Sequence, residues 1–153
     1  MAGRRYALLT ACMKGATRLG NGVAWAVLAA AFLFLRNGMT TFRQLVLAFA
    51  LELTAYKVLK MRVSRVRPFV ALPAVAMLIA LPDEFSFPSG HTAAAFLVAT
   101  VVGFSCAALF FPLLALAMLI GISRVYLGVH YPTDVVAGAV LGSVAGSLGI
   151  LLA

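Results

Sequence analysis

An all-α, polytopic membrane helix bundle with about five to six transmembrane helices is the fold class this sequence predicts, and three observations carry it. Hydrophobic residues fill 64% of the 153 positions and charged residues only 10%. Mean hydropathy is +1.09, outside the range of an ordinary soluble domain. The apolar residues are gathered into runs of bilayer-spanning length, separated by Gly, Pro and charge. The length gives room for one domain, 1–153.

The net charge of +8 raises the question of nucleic acid. The basic residues are not interleaved with exposed aromatics, and spanning segments lie between them, so nucleic acid is excluded as a partner. Membrane lipids with anionic head groups, or an anionic substrate, fit better. Cys12 and Cys106 lack metal-type spacing and sit among apolar residues, which reads as two free buried thiols. Arg4 and Arg5 precede an apolar stretch, but Lys14 and Arg18 interrupt it and no clean cleavage site follows, so no signal peptide is read.

The elements follow in order. Over residues 5–19, Tyr6, Leu9, Met13 and Ala16 fall at helical spacing with Lys14 and Arg18 on another face, which predicts an interfacial amphipathic helix. After Gly20-Asn21-Gly22, the apolar run 23–35 makes a first span and ends at Arg36-Asn37-Gly38. A second span runs from Thr40 to Lys60 with Glu52 inside it. An intramembrane carboxylate is either functional or neutralised by protonation or by a bond to a neighbouring helix, and both readings stay open. Lys57, Lys60, Arg62, Arg65 and Arg67 form the most basic run, closed by Pro68; such a run is usually a rim facing lipid head groups. Residues 69–82, punctuated by Pro73 and Pro82, are too short to span and predict a re-entrant or membrane-lying segment, with Asp83 and Glu84 returning to water.

The third span, 89–111, begins in the polar stretch FSFPSGHT, residues 85–92, and ends at Pro112. The fourth runs from Leu113 to about Leu127 with Arg124 near its end, and the fifth occupies 133–153 with Pro132 at its first turn. Gly138, Gly142, Gly146 and Gly149 stud the last span and permit close helix packing.

Alternating the direction of the spans brings the end of the second, the start of the third, the end of the fourth and the start of the fifth to one face. Lys60, Arg67, Ser89, His91, Arg124, His130 and Asp134 can then converge, and they include both histidines of the chain. Cations, a hydroxyl and a helix N-terminus make a site for a multiply charged oxyanion, with Gly90 allowing close approach to the main chain. Phosphate is the group served. Two imidazoles beside it suggest phosphoryl transfer, and Asp134, four residues after His130, can orient that ring. Each piece also has a plain reading: a capped helix start, a local His–Asp bond, cations anchoring span ends. Two histidines and a carboxylate could hold a metal, but the neighbouring cations would repel it.

At these residues the sequence resembles the type-2 phosphatidic acid phosphatase superfamily, whose site design is shared with vanadium haloperoxidases. The resemblance rests on Lys60 with Arg67-Pro68, on Pro88-Ser89-Gly90-His91, and on Ser123-Arg124 with His130 and Asp134. Residues 60–134 carry all three motifs in order. The resemblance implies that His130 is the nucleophile forming a phosphohistidine, that Asp134 orients it, and that His91 is the acid for the leaving group and later the base for water. It implies that Lys60, Arg67, Ser89, Gly90 and Arg124 hold the phosphate, and that no metal or other cofactor takes part. Six spans are common in the family, against five plus the interfacial helix here.

The expectation is therefore a single lipid phosphatase domain in a bacterial cytoplasmic membrane, acting on phosphatidic acid, phosphatidylglycerol phosphate or a polyprenyl diphosphate. Its alternatives are a vanadate-dependent peroxidase and a non-catalytic protein binding lipid phosphates. The cations Arg4, Arg5, Lys14, Arg18, Lys57, Arg62 and Arg65 on the site face outnumber Arg36 and Arg43 opposite, which points inward, whereas the resemblance leans outward. No oligomeric state follows from the sequence.

Overall fold

The structure, a computed structural model, describes residues 2–35, 38–79 and 84–153. The side chains of Arg4 and Arg5, and Arg36, Asn37, Pro82 and Asp83, lie outside the described residues. The fold is all-helical, and its helices are α1 (Ala2–Leu19), α2 (Gly22–Ala31) with a 3₁₀ turn at Phe32–Phe34, α3 (Gly38–Val63), α4 (Pro68–Ala71), α5 (Gly90–Ser105), α6 (Ala107–Tyr126) and α7 (Pro132–Leu152).

Helix α5 is the axis of the bundle. It is apolar on every side, as a helix surrounded by others must be, and Leu97, Val98, Val101 and Val102 are almost wholly buried between α3, α6 and α7. Helix α7 reaches it through glycine. A Cβ at position 142 would stand 2.0 Å from the Ala93 carbonyl oxygen, and one at 138 would stand 2.5 Å from that of Ser89. Gly149 gives α3 the same access near Gln44 and Ala48. The close packing expected from these glycines is present, and it trades side-chain area for backbone proximity, as helices in lipid commonly do.

Length and composition fit α6 and α7 to cross a bilayer. Their outward faces carry Phe111, Ile122, Val136, Val140 and Leu151, all exposed apolar side chains that need lipid around them. Helices α1 and α2 meet at 52° and count as one further crossing if the bent pair is a broken span. Helix α3 has 26 residues, long enough at about 39 Å, but Arg43, Glu52, Lys57 and Lys60 interrupt its apolar character. Two to three crossings thus follow from length and composition, without fixing the expected five to six.

Two boundaries differ from expectation. The third span does not run to 111: α5 stops at Ser105 after 16 residues, and the extended residue Cys106 (φ −143°) makes the corner. The corner closes there because Gly103 lets α5 and α6 touch, a Cβ at 103 coming 2.6 Å from the Phe110 ring. Pro112 sits inside α6 instead of breaking the chain. Both cysteines are exposed, not buried, Cys106 through its place at the corner. Residues 69–79 are mostly irregular after the single turn of α4, as Pro73 dictates.

Candidate active site at one end of the bundle

Helix α3 ends where Ser64 takes a left-handed conformation (φ 45°) and donates its N–H to the Lys60 carbonyl at 3.0 Å. The chain then runs extended through Arg65 to Arg67, where Val66 pairs with Phe85 and the Ser86 N–H meets the Arg65 carbonyl at 2.8 Å. That short antiparallel contact ties the basic run to the FSFPSGHT stretch. Pro68, with no N–H to satisfy, starts α4 and leaves Arg67 turned inward. Arg67 is buried and donates Nη1 to the Val129 carbonyl at 2.7 Å. Lys60 is buried too, and its Nζ donates to the Tyr56 hydroxyl. The Tyr56 ring lies over Gly90, where a Cβ would come within 3.0 Å of it.

At the start of α5, Ser89 is fully buried with its hydroxyl 2.9 Å from Thr92 Oγ1 and its N–H donated to the Asp134 backbone carbonyl at 3.0 Å. The serine joins helix to helix instead of capping its own with its side chain. His91 follows, half-buried, with Nε2 3.0 Å from Asn21 Oδ1 in the turn between α1 and α2.

The turn from α6 to α7 completes the site. The Arg124 carbonyl accepts the N–H groups of Val129 and His130 at 3.2 and 3.3 Å. Gly128 holds φ +75°, where a Cβ would also strike the Ala76 carbonyl. His130 is buried with Nδ1 3.7 Å from Asp134 Oδ2, longer than a formed hydrogen bond. Asp134 is already held: Oδ2 accepts the Tyr131 N–H at 2.8 Å and Oδ1 accepts Arg65 Nη1 at 2.9 Å. Arg65 also donates to Thr133 and stacks over the Tyr131 ring. Arg124, buried, donates Nη1 to Thr17 of α1 at 2.7 Å.

Burial pushes the His130 imidazole below its ordinary pKa; the Arg124 and Arg67 guanidiniums push the same way, and Asp134 opposes them. The ring is therefore neutral at neutral pH, with a lone pair available. Among the described residues, no group of three or more His, Cys, Asp and Glu side chains is arranged to hold a metal ion.

Lys60, Arg67, Ser89, Gly90, His91, Arg124, His130 and Asp134 all gather at the end of the bundle where α3 and α6 finish and α5 and α7 begin. Four further residues belong to the cluster and escape sequence reasoning. Arg65 lies within the basic run yet reads there as rim, and Tyr56 sits in the second span without a motif to mark it. Thr17 and Asn21 reach the site from 107 and 70 residues away, a separation that no local spacing signals.

Fold and cluster together define an integral membrane protein with a buried cationic site at one end of its helices. Residues 41–152 match the PAP2 superfamily, and the chain belongs to that family. It is 31% identical over 143 residues to an undecaprenyl-diphosphatase of Sulfolobus acidocaldarius, covering 91% of this chain and 68% of that one. It is 35% identical over 156 residues to phosphatidylglycerophosphatase B of Bacillus subtilis, covering 90% and 72%. The crystal structure of Aquifex aeolicus LpxE superposes with a TM-score of 0.86 at 34% identity, covering 94% of this chain and 86% of that one. Against several other relatives the chain spans only 42% to 48% of their length.

Proposed function

We propose that this protein is a lipid phosphatase that removes phosphate from a lipid phosphomonoester or diphosphate through a phosphohistidine on His130. The observation that carries the proposal is a buried imidazole facing a fixed carboxylate, with the Arg124 and Arg67 guanidiniums near enough to lower its pKa, inside a superfamily whose named relatives act on lipid phosphates and diphosphates.

With Nδ1 turned to Asp134, His130 Nε2 is the nitrogen that attacks phosphorus. The P–N bond forms as the bond to the leaving oxygen breaks, and His91 gives that oxygen its proton. Water then attacks the phosphohistidine while His91 takes the proton back, and the P–N bond breaks to release phosphate with both rings restored. Lys60, Arg67 and Arg124, with the N–H groups at the start of α5, neutralise the equatorial oxygens where charge is greatest. Asp134 holds the tautomer, and Arg65 with the Tyr131 N–H holds Asp134. The lipid's tails stay in the bilayer while its phosphate enters at the interface. On this reading α1, which meets α2 at 52°, is the helix that lies along that interface.

Phosphate release by the detergent-purified protein from a panel of lipid phosphates, with chelator present, tests this reading. Turnover that resists the chelator and vanishes in His130→Ala is expected. Turnover abolished by the chelator, or retained by His130→Ala, would overturn the histidine mechanism.

A further inference from the structure

Beside His91 and Gly90, between α2, α3 and α5, lies a cavity of about 590 Å³ with an almost wholly apolar lining. Phe42 and Phe49 contribute to that lining, and its polar groups are Tyr56 and His91, which belong to the site already described, together with Glu52 and Trp25. Glu52 is 2% exposed and makes no hydrogen bond or ion pair among the described residues. Trp25 is 5% exposed, and its indole Nε1 has no hydrogen-bond partner among them either. The possibility that Glu52 is simply bonded to a neighbouring helix is not realised in these residues.

A buried carboxyl and a buried N–H with nothing to bond are costly in an apolar surround, so their placement on one cavity points to a ligand that satisfies both. Glu52 accepts and Trp25 donates. A hydroxyl does both at once. The position of the cavity says which part of a substrate brings it: His91 lines the wall and, on the phosphatase reading on which this step rests, protonates the leaving oxygen. The leaving group therefore occupies this side. Glu52 lies one helical turn before Tyr56 and two, about 12 Å of rise, before Lys60, so it sits along α3 beyond the phosphate anchor.

We propose that Glu52 and Trp25 form a leaving-group subsite that selects lipid phosphomonoesters carrying free hydroxyls on the leaving group, as on a sugar ring, over those whose leaving group has none, as in phosphatidic acid. A site built to bond a hydroxyl discriminates strongly against its absence, because both protein groups are then left unsatisfied.

Two readouts test this. In the first, kcat/KM is measured for an acylated glucosamine 1-phosphate and for phosphatidic acid, and their ratio is followed. Glu52→Leu and Trp25→Phe should each lower that ratio by on the order of 10- to 100-fold. Glu52→Gln, which keeps the shape and one acceptor, should lower it less and separates a lost contact from a lost fold. Equal losses on both lipids would overturn the subsite.

The second readout needs no turnover. Trp25 is the chain's one tryptophan, so its fluorescence in the His130→Ala protein reports directly on the indole N–H. The glucosamine lipid should shift the emission to longer wavelength and phosphatidic acid should not; no difference between them would overturn the proposal. Hydrolysis without the shift leaves the phosphatase reading standing and the subsite refuted. The shift without hydrolysis of any lipid does the reverse.

Discussion

Among the described residues, two buried carboxyl groups sit in this small bundle and are treated in opposite ways. Asp134 is surrounded by donors, with Arg65, the Tyr131 N–H and the nearby His130 ring all converging on it. Glu52 lies in an apolar cavity with none among the described residues. A carboxylate with its lone pairs committed can only position what is next to it; one left open can take a ligand. The difference teaches that burial alone does not tell a structural acid from a recognising one. The inventory of donors does.

The largest expected effect falls on the satisfied acid. Asp134→Asn keeps the shape but upsets the imidazole's tautomer, and kcat should drop on the order of a thousand- to ten-thousand-fold, as loss of an orienting carboxylate does elsewhere. A loss of tenfold or less in steady-state assays would reduce Asp134 to a structural bond.

Stability should then split the two by sign. Asp134→Leu strands the donors around it and should cost about 2–3 kcal/mol, a figure held down because the Arg65 side chain is 37% exposed and can turn to water. Glu52→Leu removes an unpartnered carboxyl from a helix interior and should stabilise by on the order of 1–3 kcal/mol. Apparent Tm values of the purified variants decide, and a shift of the same sign in both would erase the distinction.

Arg65→Ala should lower kcat about tenfold with KM little changed, since it acts on Asp134 and not on the phosphate. An equal rise in KM would place Arg65 on the substrate instead. The smallest effect concerns pH. Nucleophilic attack needs the neutral ring, so activity is lost as pH falls through the His130 pKa, and the acid limb of kcat/KM should lie below that of an ordinary histidine because burial lowers it. In Asp134→Asn the limb should move lower still, because the carboxylate is what raises that pKa. Movement in the other direction would mean that the limb belongs to another group.

How much of this was legible beforehand follows from the range of each contact. The motif residues lie at short fixed spacings, and alternating spans were enough to bring His91, His130, Asp134 and the basic residues to one face. The glycines of α7 likewise announced close packing through their own periodicity. The N-terminal stretch did not announce Thr17 or Asn21, because a hydroxyl in an amphipathic pattern and an amide in a turn carry no mark of a partner far along the chain. Arg65 was hidden by its neighbours: one cation among five reads as a rim until the backbone turns it inward. The corner at Cys106 was missed because a proline six residues later looked like the stronger breaker, while the deciding feature was contact between Gly103 and Phe110.

The glycine seam between α5 and α7 also has a mechanical meaning. The helices that carry His91 and Asp134 touch at the level of their backbones over several turns, so neither can slide or hinge against the other without the main chains colliding. They form a fixed jaw. The opposite side is fastened differently, since α1 and its turn meet α6 and α5 through side chains, among them the hydrogen bonds Thr10–Tyr126, Thr17–Arg124 and Asn21–His91. Side-chain hydrogen bonds of about 1 kcal/mol each give way more readily than interlocked main chains, so α1 is the half of the vice that yields while the facing pair keeps its aim.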